Sequence, residues 1–280
     1  MAYICHIPSA PLNAYINCIY YRDTPMPFSM AKIFPLPYLR LQINFGGTFQ
    51  SHKADRSDSL FDGTESWLVG LWSEHRIIHW PLDIQLFIVE FKPGGAYPFL
   101  KLPLSELYNQ VVALDAIWGR FAGEIRERLY LAPTLDARFA LLEHFLLARL
   151  REIPDGLTTV QHALTEIAKH RGSPSIRALS DQIGISQKHL ITQFKRMVGG
   201  TPKEIARLYR FKHVLHSLDP AHPVDWAFMA YQSHFYDQSH FNKEFETFTG
   251  HSPTSYLRLR REAATENEEP AKYLLHFSIG

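Results

Sequence analysis

The chain has 280 residues, 46% hydrophobic and 20% charged, a globular composition that excludes wholesale disorder and, at about 100–200 residues per domain, leaves room for two domains. Its net charge of +1 hides an asymmetry, because residues 158–262 hold 14 basic against 9 acidic side chains while each flanking segment is acidic by two. Cys5 and Cys18 alone are too few for a disulfide framework or an all-cysteine zinc site, no apolar run approaches the ~18 residues of a membrane span, and the amino terminus lacks a signal-peptide pattern, so a cytoplasmic protein in a reducing compartment is expected.

From Asn13 to about Leu102, aromatic and β-branched residues recur between Pro and Gly breaks. Residues 38–45 (YLRLQINF), 67–71 and 84–91 (IQLFIVEF) read as strands. Gly46-Gly47, Asp62-Gly63 and Pro93-Gly94-Gly95 read as turns, so an antiparallel sandwich or barrel is the expected closure. After Pro103 helical spacing takes over, broken at Gly119 and Pro133. In residues 136–151, Phe139, Leu142, Phe145, Leu146 and Leu150 form one stripe, which Leu141 and Leu147 widen. Packing onto the β domain is the expected cover, with a subunit interface as the alternative. Pro154-Asp155-Gly156 marks the boundary. It divides the chain into a β-rich sensing or oligomerisation domain at 1–156, an all-α domain at 157–262 and a tail at 263–280. In the tail the acidic run is expected to be disordered, with docking of the apolar 273–279 (YLLHFSI) as the alternative.

The α domain contains a repeat at an offset of 51 residues. Gln187 matches Gln238, His189 matches His240, Leu190 matches Phe241, Phe194 matches Phe245, Gly199 matches Gly250 and Pro202 matches Pro253. Each copy has a helix-turn-helix layout. In the first, Ser173-Pro174 opens a helix carrying Ile176, Leu179 and Ile183, Gly184 ends it, and Ser186 caps a second helix with Leu190, Phe194 and Met197 inward. In the second, Pro223 opens a helix carrying Trp226, Met229, Ala230 and Ser233, and Asp237 caps a helix with Phe241, Phe245 and Phe248 inward. Thr201-Pro202 with Glu204 at capping-box spacing starts a joining helix to Ser217, roughly 25 Å long at ~1.5 Å per residue. The outer helices can then sit about 34 Å apart, one turn of DNA.

Residues about 158–260 resemble the DNA-binding domain of the AraC/XylS family of transcription regulators. The likeness rests on Leu179-Ser180 through Gly184-Ile185-Ser186, His189-Leu190, Phe194-Lys195-Arg196, Gly199 and Pro202, and on Met229-Ala230, Phe235 through Phe241, Phe245, Gly250, Ser252-Pro253 and Tyr256. Two positions depart from the pattern, Ser180 where Ala is usual and His234 where Gly is usual; the turn at 234 favours a left-handed backbone. Residues 91–96, 102–104, 114–115 and 118–119 resemble the β-rich sensor-like domain that precedes this unit in a subset of the family. The resemblance implies an α+β chain, with a cupin-like antiparallel sandwich and helical extension followed by two helix-turn-helix motifs on a linking helix. It implies sequence-specific binding of double-stranded DNA, with RNA polymerase, a small-molecule effector and a second copy of the chain as candidate partners, and no enzymatic activity, cofactor or membrane.

On the outward faces, Gln187, Lys188, Ile191, Thr192, Gln238, Ser239, Asn242 and Lys243 are the candidate base readers. Gln238 and Asn242 suit adenine, and Ile191 or the Thr192 methyl suits a thymine methyl. Lys195, Arg196, Lys203 and Arg207 are the candidate phosphate anchors. His189 and His240 read as structural, and Arg210 as a contact within the domain. His75 and His79 lie ~13 Å apart if on a strand, too far for one ion, and no metal site is expected. A rival reading, an alkyl-DNA repair protein with a reactive cysteine fused to the same DNA-binding unit, needs a free thiolate at Cys5 or Cys18.

Overall fold

Alternation along residues 40–44 sorts side chains between two compartments. Leu41 and Ile43 enter an apolar cluster shared with helices, while Arg40 and Gln42 line a cavity between sheets. Both faces of this segment are therefore covered, the arrangement of a three-layered domain.

The computed structural model describes residues 4–25, 29–53, 61–150, 155–265 and 276–278. Its strands are β1 Ile4–His6, β2 Ile16–Arg22, β3 Met30–Ile33, β4 Arg40–Asn44, β5 Phe49–Lys53, β6 Phe61–Gly63, β7 Ser66–Val69, β8 Arg76–His79, β9 Leu86–Phe91, β10 Val111–Ala113 and β11 His276–Ser278. They form a six-stranded sheet in the order β1-β2-β9-β4-β7-β10 and a five-stranded sheet in the order β11-β3-β8-β5-β6, with antiparallel pairing as expected. Two local expectations are corrected. Asp62-Gly63 belongs to β6, paired with β5, rather than to a turn. Val111–Ala113 lies in a stretch read as helical, yet pairs with β7 because the ladder offers its backbone partners that a helix at the sheet edge would leave unmet.

The helices are α1 Tyr97–Leu100, α2 Asp115–Trp118, α3 Arg120–Leu131, α4 Leu135–Arg149, α5 Leu157–Lys169, α6 Ile176–Ile183, α7 Gln187–Met197, α8 Pro202–Ser217, α9 Trp226–Gln232, α10 Gln238–Thr249 and α11 Pro253–Thr265. Among the described residues none is long and apolar enough to cross a membrane. Thr134 caps α4, and Phe139, Leu142, Phe145 and Leu146 are buried. Phe139 meets Phe87 of β9 edge-on at 5.3 Å, so the β domain covers this stripe, leaving Leu147 41% exposed.

Cys5 and Cys18, expected as separate thiols, are bonded to each other. The register sets Cys5 opposite Tyr20, two residues from Cys18 and on the same face, which brings their Cα atoms to 6.2 Å.

The apolar core runs through the expected boundary. Val160, Leu164 and Ile167 of α5 and Phe194 and Met197 of α7 share one cluster with Phe91, Phe99 and Leu104. Gly94, in the segment read as a tight turn, takes the left-handed backbone at φ +74° that favours glycine, and it lies beside Leu164 of α5 and Met197 and Val198 at the end of α7. The second helix-turn-helix has its own cluster, into which β-domain residue Phe34 inserts against Phe211 and Tyr256. Pro154 and the acidic run lie outside the described residues, but the backbone of β11 pairs with β3, with Phe277 opposite Lys32.

Candidate nucleic-acid interface

The first motif is assembled by caps. Ser175 accepts from Ala178 N at 3.3 Å and starts α6. This corrects the expected start at Ser173-Pro174, where the Ser173 hydroxyl instead donates to His170 O. Gly184 ends α6 at φ +79°, and Ser186 accepts from His189 N at 3.2 Å to start α7. Leu190, Phe194 and Met197 are buried, which turns Gln187, Lys188, Thr192, Lys195 and Arg196 to the exposed side and leaves Ile191 half-buried. The expected capping box opens α8, with Thr201 and Glu204 bonding reciprocally.

In the second motif Asp225, not Pro223, marks the helix start, because its carboxylate accepts from Ala227 N and Phe228 N, both at 3.0 Å. His234 takes the left-handed turn at φ +57°, so histidine stands in the conformation glycine usually supplies. Asp237 accepts from His240 N at 2.7 Å and caps α10. Phe241, Phe245 and Phe248 are buried, and Gln238, Ser239, Asn242, Lys243 and Glu246 are exposed.

Several basic residues have inward duties. Arg207, read as a phosphate anchor, instead donates from Nε to Glu244 Oε2 at 2.9 Å and lies 5.3 Å above the Phe248 ring, tying α8 to α10. Arg210 stacks 5.3 Å from Phe235, a contact within the domain as expected. Arg196, although exposed, donates from Nε to the Tyr97 hydroxyl at 2.6 Å. Lys203 is exposed at the first turn of α8. His189 and His240 are exposed too, with neighbours on their own motif: Gln193 for His189 at 3.2 Å and the Phe235 ring for His240 at 5.6 Å.

The β domain holds both motifs near the carboxyl ends of their outer helices. Besides Tyr97 to Arg196, Tyr108 donates to Glu204 Oε1 at 3.2 Å. At the second motif His75 Nδ1 lies 3.2 Å from Thr247 O, and Lys32 Nζ lies 3.0 Å from His251 Nε2. Lysine can donate there only to an unprotonated imidazole. Burial first, then the charges of Lys32 and His75, bring His251 down to about 4. Burial likewise lowers His75 and Lys32. These clasps were not legible in the sequence, since they join residues 96 to 219 positions apart with no periodic signal.

His75 and His79 do diverge, His75 toward α10 and His79 toward His52, with Nε2 atoms 3.1 Å apart. Among the described residues no group of three or more His, Cys, Asp or Glu is placed to hold a metal ion.

Two family models match the chain. A helix-turn-helix domain model covers residues 179–259, and a domain of unknown function, DUF6597, covers residues 5–113. No curated protein matches in sequence. Among solved structures, a 1.65 Å structure of ToxT from Vibrio cholerae aligns at 12% identity and TM-score 0.43 over 92% of this chain and 98% of that one. Unsaturated fatty acid bound wild-type ToxT from the same organism aligns at 14% identity and TM-score 0.43, over 92% and 95%. The AraC-like transcriptional activator CuxR aligns at 10% identity and TM-score 0.27, over 82% and 90%.

Proposed function

Because the chain carries an AraC-type helix-turn-helix domain behind an amino-terminal DUF6597 domain, we propose that it is a cytoplasmic, sequence-specific DNA-binding transcription regulator without enzymatic activity. The observation that carries this reading is the pair of matched outer helices, α7 and α10. Each is capped, pinned by buried hydrophobic residues and exposed on a polar stripe. On this reading α7 and α10 enter successive major grooves of one duplex. Gln187, Lys188, Ile191, Thr192, Gln238, Ser239, Asn242 and Lys243 face base edges, and Lys195, Arg196 and Lys203 face phosphates. Residues 1–156 act as sensing or oligomerisation domain, 157–262 as DNA-binding domain and 263–280 as tail. Neither matched family model gives support to the repair alternative.

The sensor reading has a place to act. A cavity between the sheets is lined by Phe49, Trp67, Trp72, Trp80, Ile78 and Ile88, with Tyr38, Arg40 and Gln42 at its polar part. Two of the lining residues, Trp72 and Trp80, have buried indole N–H groups without a hydrogen-bond partner among the described residues, and an apolar molecule bearing an acceptor would suit such a lining. Selection of duplexes retained by the full chain from a random pool tests the regulator reading. Enrichment of one bipartite motif with half-sites about 10 base pairs apart is expected; retention without enrichment would reduce the protein to a nonspecific DNA binder.

A further inference from the structure

The hydrogen bond from Arg196 to Tyr97 ties a candidate phosphate anchor to the other domain. Arg196 lies one turn beyond Thr192 on α7, on the exposed stripe. Its Nε donates to the Tyr97 hydroxyl at 2.6 Å, and its guanidinium carbon sits 5.6 Å from the centre of the same ring. Tyr97 is the first residue of α1 and half-buried, and Pro98, Phe99 and Leu100 after it are buried. A guanidinium engaged at once by a hydroxyl and a ring face has fewer donors to offer, and its plane is fixed by the tyrosine rather than by a phosphate.

We propose that Tyr97 is a gate on DNA binding: in the closed arrangement it withholds Arg196 from the phosphate backbone, and movement of α1 releases one cation to the duplex. The proposal rests on the DNA-binding reading of α7. The phenol is neutral, so an anionic phosphate oxygen makes the stronger, charge-assisted partner once it comes within reach. The gate also has a mechanical input. Strand β9 lines the inter-sheet cavity with Leu86 and Ile88 and runs through Pro93-Gly94-Gly95 into α1. Gly94 in that connection lies against Leu164 and the end of α7 at Met197 and Val198. A displacement of β9 is therefore passed to Tyr97 and to the α7 terminus together.

The test is a salt titration of the full chain on a random-sequence fluorescent duplex, whose binding is electrostatic and needs no known operator. Tyr97→Phe keeps the ring and removes the acceptor. It should bind more tightly, with a log K against log[salt] slope steeper by about 0.9, one more phosphate contact. Its advantage over the wild type should then shrink about threefold between 50 and 200 mM salt. In an Arg196→Gln background the same change should do nothing. Equal slopes, or weaker binding by Tyr97→Phe, would overturn the gate while leaving the regulator reading intact. Failure of every form to retain duplex would overturn both. Should Tyr97→Phe fold poorly, Tyr97→His keeps a ring and shortens the reach, and the same slopes decide.

Discussion

Truncating Arg207 to alanine separates an internal strut from a phosphate anchor. The side chain is 32% exposed, and its partner Glu244 only 5%. Without Arg207 the Glu244 carboxylate stays buried. Its other oxygen, Oε1, has no hydrogen-bond partner among the described residues, and His240 Nε2 at 3.7 Å is too distant to replace the lost donor. Breaking a fully buried pair costs about 3–5 kcal/mol. Since a third of Arg207 is open to solvent, water can reach the vacated position and the cost falls to about 2–3 kcal/mol. Roughly 2–4 °C per kcal/mol for a chain of this class gives a midpoint lower by about 4–12 °C, read by circular dichroism. Glu244→Gln in the same chain should recover much of the loss by removing the buried charge. The slope of DNA affinity against salt should stay that of the wild type. An unchanged midpoint with a slope shallower by about 0.9 would refute the reasoning and return Arg207 to the duplex.

On a selected site, Asn242→Ala should cost about 1–3 kcal/mol and relax selectivity at one base pair, whereas Lys195→Ala should weaken all sequences alike; the reverse pattern in a repeated selection would exchange reader and anchor. His234→Gly relieves a left-handed histidine at φ +57°. A gain of roughly 1–2 kcal/mol, less about 0.4–1 for the freer unfolded chain, should raise the midpoint, and a lower one would show that the turn depends on the imidazole. His251, at about 4 when folded against 6.5 as its ordinary value, is less protonated in the folded chain. Its contribution to stability is therefore complete above pH 6.5 and is lost as pH falls from there to about 4. His251→Gln should flatten that part of the profile of midpoint against pH, and an unaltered profile would remove the clasp from the account.

The strands at 40–44, 66–69 and 86–91 were legible because alternation and flanking turn residues are local signals. Yet alternation could not tell that both faces of β4 are covered, which depends on helices arriving from residues 115–149. β10 shows the same limit from the other side. Three residues hold no period, and only β7 across the ladder makes them a strand.

The double helix-turn-helix lies almost wholly in the sequence. Caps at Ser186, Thr201 and Asp237, the left-handed positions at Gly184 and His234, and the inward spacing of Leu190, Phe194, Phe241 and Phe245 all act within a few residues of one another, so local physics suffices to place the exposed stripes. Which basic residues stay free on those stripes was decided in three dimensions. Arg207 and Arg196 are no less cationic than Lys195 in sequence. A guanidinium, however, goes to whichever acceptor the fold brings within hydrogen-bonding distance, and Glu244 and Tyr97 come from 37 and 99 residues away.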